Sequence, residues 1–308
     1  MASICYPVLR VPAVRLTKLD ACGTVIDSTS SSATSSGIIS IEQTAELEDR
    51  QDYFTLNADA QPCITDTSPP ILKWINVTVT FCQVDPELYN IATAEPLVLN
   101  DATPTPQAVG FRTRSGSIAN ANFAFEAWTR IGGANACADG ELQYGYFLLP
   151  WVVEGQVGDL TLENGAANFV ITGRTNPNSL WGVGPYNVIK LAATDEPSPL
   201  LVAIASGDHR HMQLTTLPPP TVTCGAQDVT PTVTVAPLTG SAPLLVTLTI
   251  PTGTLPAVID WGDATPLQTV TSGVTVQHTY ATAGTRTVEY KPTNFSAPTY
   301  LSAPVVVS

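Results

Sequence analysis

Three histidines offer the readiest acid–base and metal chemistry in this sequence: His209, His211 and His278. Gly207-Asp208-His209-Arg210-His211 sets two of them at i and i+2, on one face if the segment is a strand. A metal site needs a third ligand, and none stands at a diagnostic spacing. Hydrogen-bonded or surface imidazoles are therefore the expectation. Asp195 and Glu196 are adjacent before Pro197, but nothing there would separate their pKa values as acid–base work requires. Gly182-Val183-Gly184-Pro185 reads as a turn, because Pro185 lacks the amide donor that a phosphate cradle needs. No G-x-S-x-G, P-loop or H-E-x-x-H pattern occurs.

The six cysteines (5, 22, 63, 82, 137 and 224) show no C-x-x-C spacing and no nearby histidine, which argues against zinc. Their even number leaves a disulfide framework open, with reduced thiols the default where no export signal is read. Asn76-Val77-Thr78 and Asn294-Phe295-Ser296 match the glycosylation pattern, and without secretion the match is read as chance. No catalytic, cofactor-binding or metal-binding residue is assigned, and no enzyme is expected.

Composition narrows the field further. The 308 residues carry 13 Lys and Arg against 26 Asp and Glu, a formal net charge of -13. A general nucleic-acid binder needs cations to neutralise phosphates, and this chain is short of them. Hydrophobic residues make up 44%, enough to build a core. No run of 18 apolar residues occurs, so no membrane-spanning helix is expected, and the opening residues lack the apolar stretch of a signal peptide. Leu217-Pro218-Pro219-Pro220 is a stiff break. It divides the chain into a first domain (1–217), a Pro-rich linker (218–228) and a second domain (229–308). Before Pro218 stand 22 acids and 11 bases, and after Pro220 four and two, so the acidity belongs to the first domain.

The elements that must position these residues are mainly strands. Ile75, Val77, Val79 and Phe81 alternate with Asn76, Thr78 and Thr80, the pattern of a half-buried strand. Further strands are expected at 123–129, 144–149, 168–172, 187–191 and 200–204. One short helix is expected at 85–90, with Asp85 as N-cap and Pro86 in the first turn. The tract Ser28–Ser36, ending at Gly37, reads as a mobile hairpin tip between strands at 23–27 and 38–47. In the second of these, Glu42, Thr44, Glu46 and Glu48 share one face. An ordinary solvated face explains three carboxylates in a row, because repulsion is tolerable only where the face is wet. The sharper reading is an acidic surface that faces an anion without binding it.

Two resemblances follow from particular segments. Thr239–Val246, Ile259-Asp260-Trp261-Gly262-Asp263-Ala264-Thr265 and His278–Val288 resemble a PKD-type immunoglobulin-like module. The motif positions are Trp261, Gly262, Asp263, His278, Tyr280 and Gly284, with Ala264 where the family usually has Gly. The resemblance implies a β-sandwich, a core-filling Trp261 and a turn supported by Asp263, in a spacer or adhesive decoration. The first domain resembles the major tail tube protein of long-tailed actinobacterial phages. The carrying segments, in order, are Lys73–Leu88, Tyr144–Pro150, Gly158–Asn164, Trp181–Tyr186 and Gly207–His211.

That second resemblance implies a mainly β, tail-tube-type sandwich or barrel with one short helix, plus the C-terminal Ig-like sandwich. It implies a structural virion protein whose hexameric rings stack into a tube through which DNA passes during ejection. Its partners would be further copies of itself, the tape measure, the tail terminator and the distal tail protein. DNA would be an unbound passing cargo. The location would be the virion tail, assembled in the host cytoplasm, without membrane insertion or cofactor. On this reading Glu42, Glu46 and Glu48 are candidates for the lumen lining. Ser28, Ser32, Ser36 and Gly37, with the N-terminal arm Ala2–Val14, are candidates for ring-to-ring contact. Weak host-glycan contact through the second domain completes the expectation. The alternatives are a bacterial surface or secreted adhesin carrying the PKD-type module, which would need an export signal, and a polysaccharide hydrolase, which would need an acid pair or metal cluster.

Overall fold

The computed structural model describes residues 7–103, 105–133, 137–138, 140–159, 168–192 and 194–308. The chain is mainly β. In chain order its first part runs β1 (Val8–Lys18), β2 (Ser32–Ser35), β3 (Ile38–Leu47), β4 (Asp52–Leu56), β5 (Pro62–Thr67), β6 (Leu72–Phe81), α1 (Pro86–Thr93), β7 (Leu97–Leu99), β8 (Ala108–Phe111), β9 (Asn122–Ile131), β10 (Cys137–Ala138), β11 (Glu141–Leu142), β12 (Tyr144–Val157), β13 (Phe169–Thr175), β14 (Tyr186–Asn187) and β15 (His211–Thr215). Eight strands form one antiparallel sheet in the order β2-β1-β9-β12-β13-β6-β3, with β15 also on β12. The long β12 is shared: Tyr144–Leu148 pairs with β15, and Val152–Val157 pairs with β13.

One face of this sheet encloses a core. Val77, Val79 and Phe81 of β6 meet Phe123, Phe125 and Ala127 of β9 and Val14 and Leu16 of β1. Helix α1 adds Leu88, Tyr89 and Ile91 to that core. It starts where its sequence directs, with the Asp85 carboxylate accepting from the Glu87 and Leu88 amides and Pro86 in the first turn. The opposite face of β1, β9 and β12 is buried too, under a coil that supplies Trp181, Tyr186, Val188, Ile189, Leu200 and Ile204. Strand β9 is therefore buried along its whole length apart from Arg130.

Several expectations are corrected. Of 187–191, only Asn187 lies in a strand, and Leu200–Ile204 contains none. These apolar runs are buried as a cover, and an apolar run alone does not distinguish strand from packed coil. Residues 23–27 follow an Asx turn, in which the Asp20 carboxylate accepts from the Cys22 and Thr24 amides. Most importantly, the Ser28–Ser36 tract is a tip only over Ser28–Ser30, which are exposed and in a bend and turn. Ser32–Ser35 is strand β2, paired to β1 in register Val14↔Ser35 and Thr17↔Ser32, and Ser31–Ser35 are all buried. Of the N-terminal arm, residues 2–6 lie outside the described residues, and Val8–Val14 belongs to β1 rather than to a free arm.

The later part of the chain has its own core. It runs β16 (Thr234–Ala236), β17 (Thr239–Gly240), β18 (Leu244–Thr249), β19 (Ala257–Asp260), β20 (Gln268–Val270), β21 (Thr275–Tyr280), β22 (Gly284–Arg286), β23 (Glu289–Pro292), β24 (Ala297–Pro298), β25 (Tyr300–Leu301) and β26 (Val305–Val307). Three small sheets, β16-β18-β21, β17-β26-β22 and β20-β19-β23-β25, surround Val246, Leu248, Ile259, Trp261, Tyr280 and Tyr290. The two parts touch directly: β14 pairs with β24, and Asn187 Nδ2 donates to Thr299 Oγ1 at 2.8 Å.

At this junction lies a buried ion pair. Arg15 (2% exposed) and Glu126 (0%) face each other across β1 and β9. The guanidinium donates through Nε at 2.6 Å and Nη2 at 2.7 Å, and the Tyr146 hydroxyl donates to the same carboxylate at 2.7 Å. Tyr186 stacks on the guanidinium, 3.3 Å from ring centroid to Cζ, and Nη1 reaches the Ser296 carbonyl at 3.4 Å. Burial taken alone lowers the Arg15 pKa, but Glu126 outweighs it and holds the group above its ordinary value. Removing one partner strands a charge in the interior. Glu126→Ala is expected to cost about 3–5 kcal/mol, and the double change Arg15→Met, Glu126→Leu markedly less, in denaturant unfolding of the full chain.

Candidate functional site

No catalytic geometry forms around the histidines. His209 is buried and its Nδ1 lies 2.7 Å from Thr175 Oγ1, which also accepts from the Ile75 amide. His211, in β15, pairs its Nε2 with Gln213 Oε1 at 3.0 Å. Among the described residues no three metal-capable side chains converge. Cys22, Cys63, Cys82, Cys137 and Cys224 are free and exposed, while Cys5 lies outside the described residues.

Surfaces are more informative. The coil that covers β1, β9 and β12 leaves the outer face of β13, β6 and β3 open, so this half of the sheet has a polar side. On β3, Glu42, Thr44 and Glu46 are exposed, opposite Thr78, Asn76 and Trp74 of β6. Arg174 of β13 is the cation of this face and is already engaged: it pairs with Glu154 and lies 4.8 Å from the Trp74 ring centroid. Trp74 in turn donates to Asn76 at 3.1 Å. Glu42 and Glu46 form no ion pair among the described residues. Glu48 is exposed as well, just past the end of β3. The face thus carries exposed carboxylates, and its Arg174 is paired with Glu154.

A second surface had no counterpart in the sequence reading. Strands β4 and β5 form a two-stranded hairpin in which every residue is exposed. The turn is held by Asn57, whose side-chain carbonyl accepts from the Asp59 and Gln61 amides. Cross-strand register puts Tyr53 with Asp66 and Thr55 with Ile64 on one face, and Phe54 with Thr65 on the other, joined by Leu56. Tyr53 is 56% exposed and Phe54 61%. A lone hairpin has no core of its own and is marginal in water. This one also presents large apolar groups on both faces, which marks an interaction element. Its signal was legible: two β-rich runs, Asp52–Leu56 and Pro62–Thr67, flank a turn that contains Asn57 and Asp59.

The residues singled out for ring-to-ring contact are dispersed. Ser28 and Ser36 are exposed, whereas Ser32 and Gly37 are buried. Ser32–Ser35 of the tract on which that assignment rested is a packed strand.

In the later part of the chain Trp261, Asp263, His278 and Tyr280 lie in contact with one another, while Gly284 sits in β22 against β26. The His278 ring stacks on Trp261 at 4.7 Å and meets Tyr280 edge-on at 4.9 Å. His278 Nε2 lies 2.8 Å from Asp263 Oδ2, and the Tyr280 hydroxyl donates to the Trp261 carbonyl at 2.8 Å. Burial would raise the Asp263 pKa, but Thr265 and His278 outweigh it and hold the carboxyl below its ordinary value. Gly262 has φ +71°, and a Cβ there would come within 2.7 Å of the Thr287 carbonyl. Gly284 has φ +150° and pairs with Val307. The arrangement is a packed turn in which the Trp261 indole donates to Gln268 and the Asp260 carboxylate accepts from the Gly262 amide. No protein-family model and no curated protein matches this chain.

Two outcomes follow from this geometry. Ala264 keeps a left-handed φ of +63° in spite of its Cβ. Ala264→Gly is therefore expected to raise stability by about 0.5–1 kcal/mol, the strain relieved less the entropy added to the unfolded chain, read by thermal or denaturant unfolding. Burial lowers the His209 pKa, with Asp208 opposing. Its contribution is complete above the ordinary histidine value and is lost as pH falls from there through the lowered value of the folded chain. Asp263, also lowered, adds to the loss at more acidic pH. Unfolding free energy measured from pH 7 downward is expected to fall, and less steeply through the histidine range in His209→Gln.

Proposed function

We propose that this chain is a structural subunit that assembles with copies of itself into a tube, as the major tail tube protein of a long-tailed phage. The observation that carries the reading is the hairpin of β4 and β5. A two-faced apolar element with no intramolecular cover suits a subunit whose neighbour supplies the missing half. Contact between an apolar element and a different surface of the next copy is heterologous, and such contacts build rings or filaments. The ring-to-ring role first given to Ser28–Gly37 passes in this proposal to Asp52–Thr67. Strand β3, at an open end of the sheet, offers backbone groups for pairing across subunits within a ring.

The acidic outer face of β3, β6 and β13 supports a lumen lining. DNA passing over Glu42 and Glu46 meets like charge, and Arg174 of this face is already paired with Glu154. The later part of the chain is read as the Ig-like sandwich, with Trp261 as its core residue, displayed outside the tube. The location and further partners expected from the resemblance belong to the same proposal: the virion tail, and the tape measure, terminator and distal tail proteins. Weak glycan contact by the outer domain belongs to it too.

Negative-stain microscopy of the purified full chain tests the proposal: tubes or stacked rings are the expected result, and a monomer at all concentrations would refute it. Tyr53→Ser with Phe54→Ser should leave circular dichroism unchanged and abolish tubes. Glu42→Lys with Glu46→Lys should leave tubes intact but make them retain duplex DNA at low salt and release it at high salt. Tubes of the lysine variant that ignore DNA would remove these residues from the lumen.

A further inference from the structure

The sheet has unequal ends. At β3 no further strand pairs among the described residues, whereas at β2 a strap of linker lies against the edge. Gln227 forms an antiparallel bridge with Ser32, the Ser32 amide donating to the Gln227 carbonyl at 3.0 Å and the Gln227 amide to the Ser32 carbonyl at 2.6 Å. Thr34 Oγ1 donates to the Thr221 carbonyl at 3.5 Å and accepts from the Thr223 amide at 3.3 Å. The Ser30 amide donates to Asp228 at 3.1 Å. The strap is pinned from its other side by helix α1: the Gly225 amide donates to the cap residue Asp85 at 2.8 Å, and the Ala226 amide donates to Glu87. Beyond it, Ser296 donates its amide and its hydroxyl to the Pro218 carbonyl, at 3.0 and 2.9 Å.

We infer that residues 221–228 are a permanent guard for the β2 edge, and that the later part of the chain acts as the fastener that keeps the guard seated. An unpaired edge strand is a template for pairing with another chain, and a covering loop is one way to blunt it. The composition of β2 fits this role. Ser32, Ala33, Thr34 and Ser35 are small enough to let a second backbone approach, and the hydroxyl of Thr34 bonds the strap where no ladder bond forms. Closing β2 leaves β3 as the end of this sheet at which another copy can add. Strand-mediated association is then restricted to one end, and unlimited edge-to-edge growth through β2 is suppressed. The inference goes beyond tube assembly and holds for any strand-mediated association of this chain.

Two full-length variants test it. Ser32→Cys with Gln227→Cys joins directly opposed residues of an antiparallel bridge, a spacing a disulfide can span. Gln227→Pro deletes the amide that donates to Ser32. Sedimentation velocity is run on both and on the parent chain over a concentration series, with the cysteine variant oxidised and reduced. A guard predicts that the oxidised lock associates as the parent does. It predicts that Gln227→Pro, with native circular dichroism, associates at about three- to tenfold lower concentration. A lock that abolishes the parent's association on oxidation and recovers it on reduction would show that β2 must open, and would overturn the inference. So would a folded Gln227→Pro chain that associates no more than the parent. If Gln227→Pro fails to fold, the lock alone decides. A parent chain that forms no tubes refutes tube assembly only: the guard is then decided by whether Gln227→Pro associates where the parent and the lock stay monomeric.

Discussion

The Arg15–Glu126 pair sets the terms for the rest of the structure. Two charges can lie in an interior only if each has a partner and the remaining donors and acceptors are met. Here the requirement reaches across the chain. Strands β1 and β9 must pair in one register to set the two residues opposite each other. Tyr146 must come from β12, Tyr186 from the covering coil, and the Ser296 carbonyl from the later part of the chain. The buried charge thus takes part in the junction between the two parts, beside the pairing of β14 with β24. Burial pushes the Tyr146 pKa well up, with Glu126 adding to the effect, so its hydroxyl keeps the proton it donates. A neutral, fully bonded pair specifies which surfaces meet, even where an apolar substitute of equal volume would be as stable.

The same coil that completes this site divides the sheet in function. Where Trp181, Tyr186 and Leu200 cover it, strands are buried on both sides and serve stability. Where the coil stops, β13, β6 and β3 keep a wet face, and acidic side chains can stand there without desolvation cost. An engaged arginine on that face leaves its field negative. A covered half that holds shape and an open half that meets partners is an economical division for a subunit of a larger assembly.

Much of the framework was legible in the sequence because its signals are local. The alternation at 75–81, the strand expected at 123–129, the start of β12 and the Asp85-Pro86 helix start all depend on neighbours a few residues away. The failures share a different cause. Ser32–Ser35 has the composition of a loop, yet it is a strand because β1 pairs with it on one side and Gln227, some 190 residues later, bridges it on the other. Leu200–Ile204 has the composition of a strand, yet it is a lid because its backbone finds no ladder. Arg15 and Glu126 are 111 residues apart and carry no motif. The acidic face was visible as three carboxylates in alternation, but the neutralisation of Arg174 by Glu154 and Trp74 depends on the pairing of strands distant in sequence.

The guarded edge also bears on the order in which the chain can be finished during synthesis. Strand β2 is the second in sequence, and β1 can receive it early. Its outer side stays bare until Gln227 has left the ribosome, and the pins from Asp85 and Glu87 then have something to hold. In that interval the Ser-rich tract carries little register information of its own, since a slip of β2 by one residue exchanges one small side chain (Ser, Thr or Ala) for another at every position. Its final alignment is thus fixed late and from outside. A ribosome pause or truncation before residue 227 would release a nascent chain with its framework largely built and one edge still undecided.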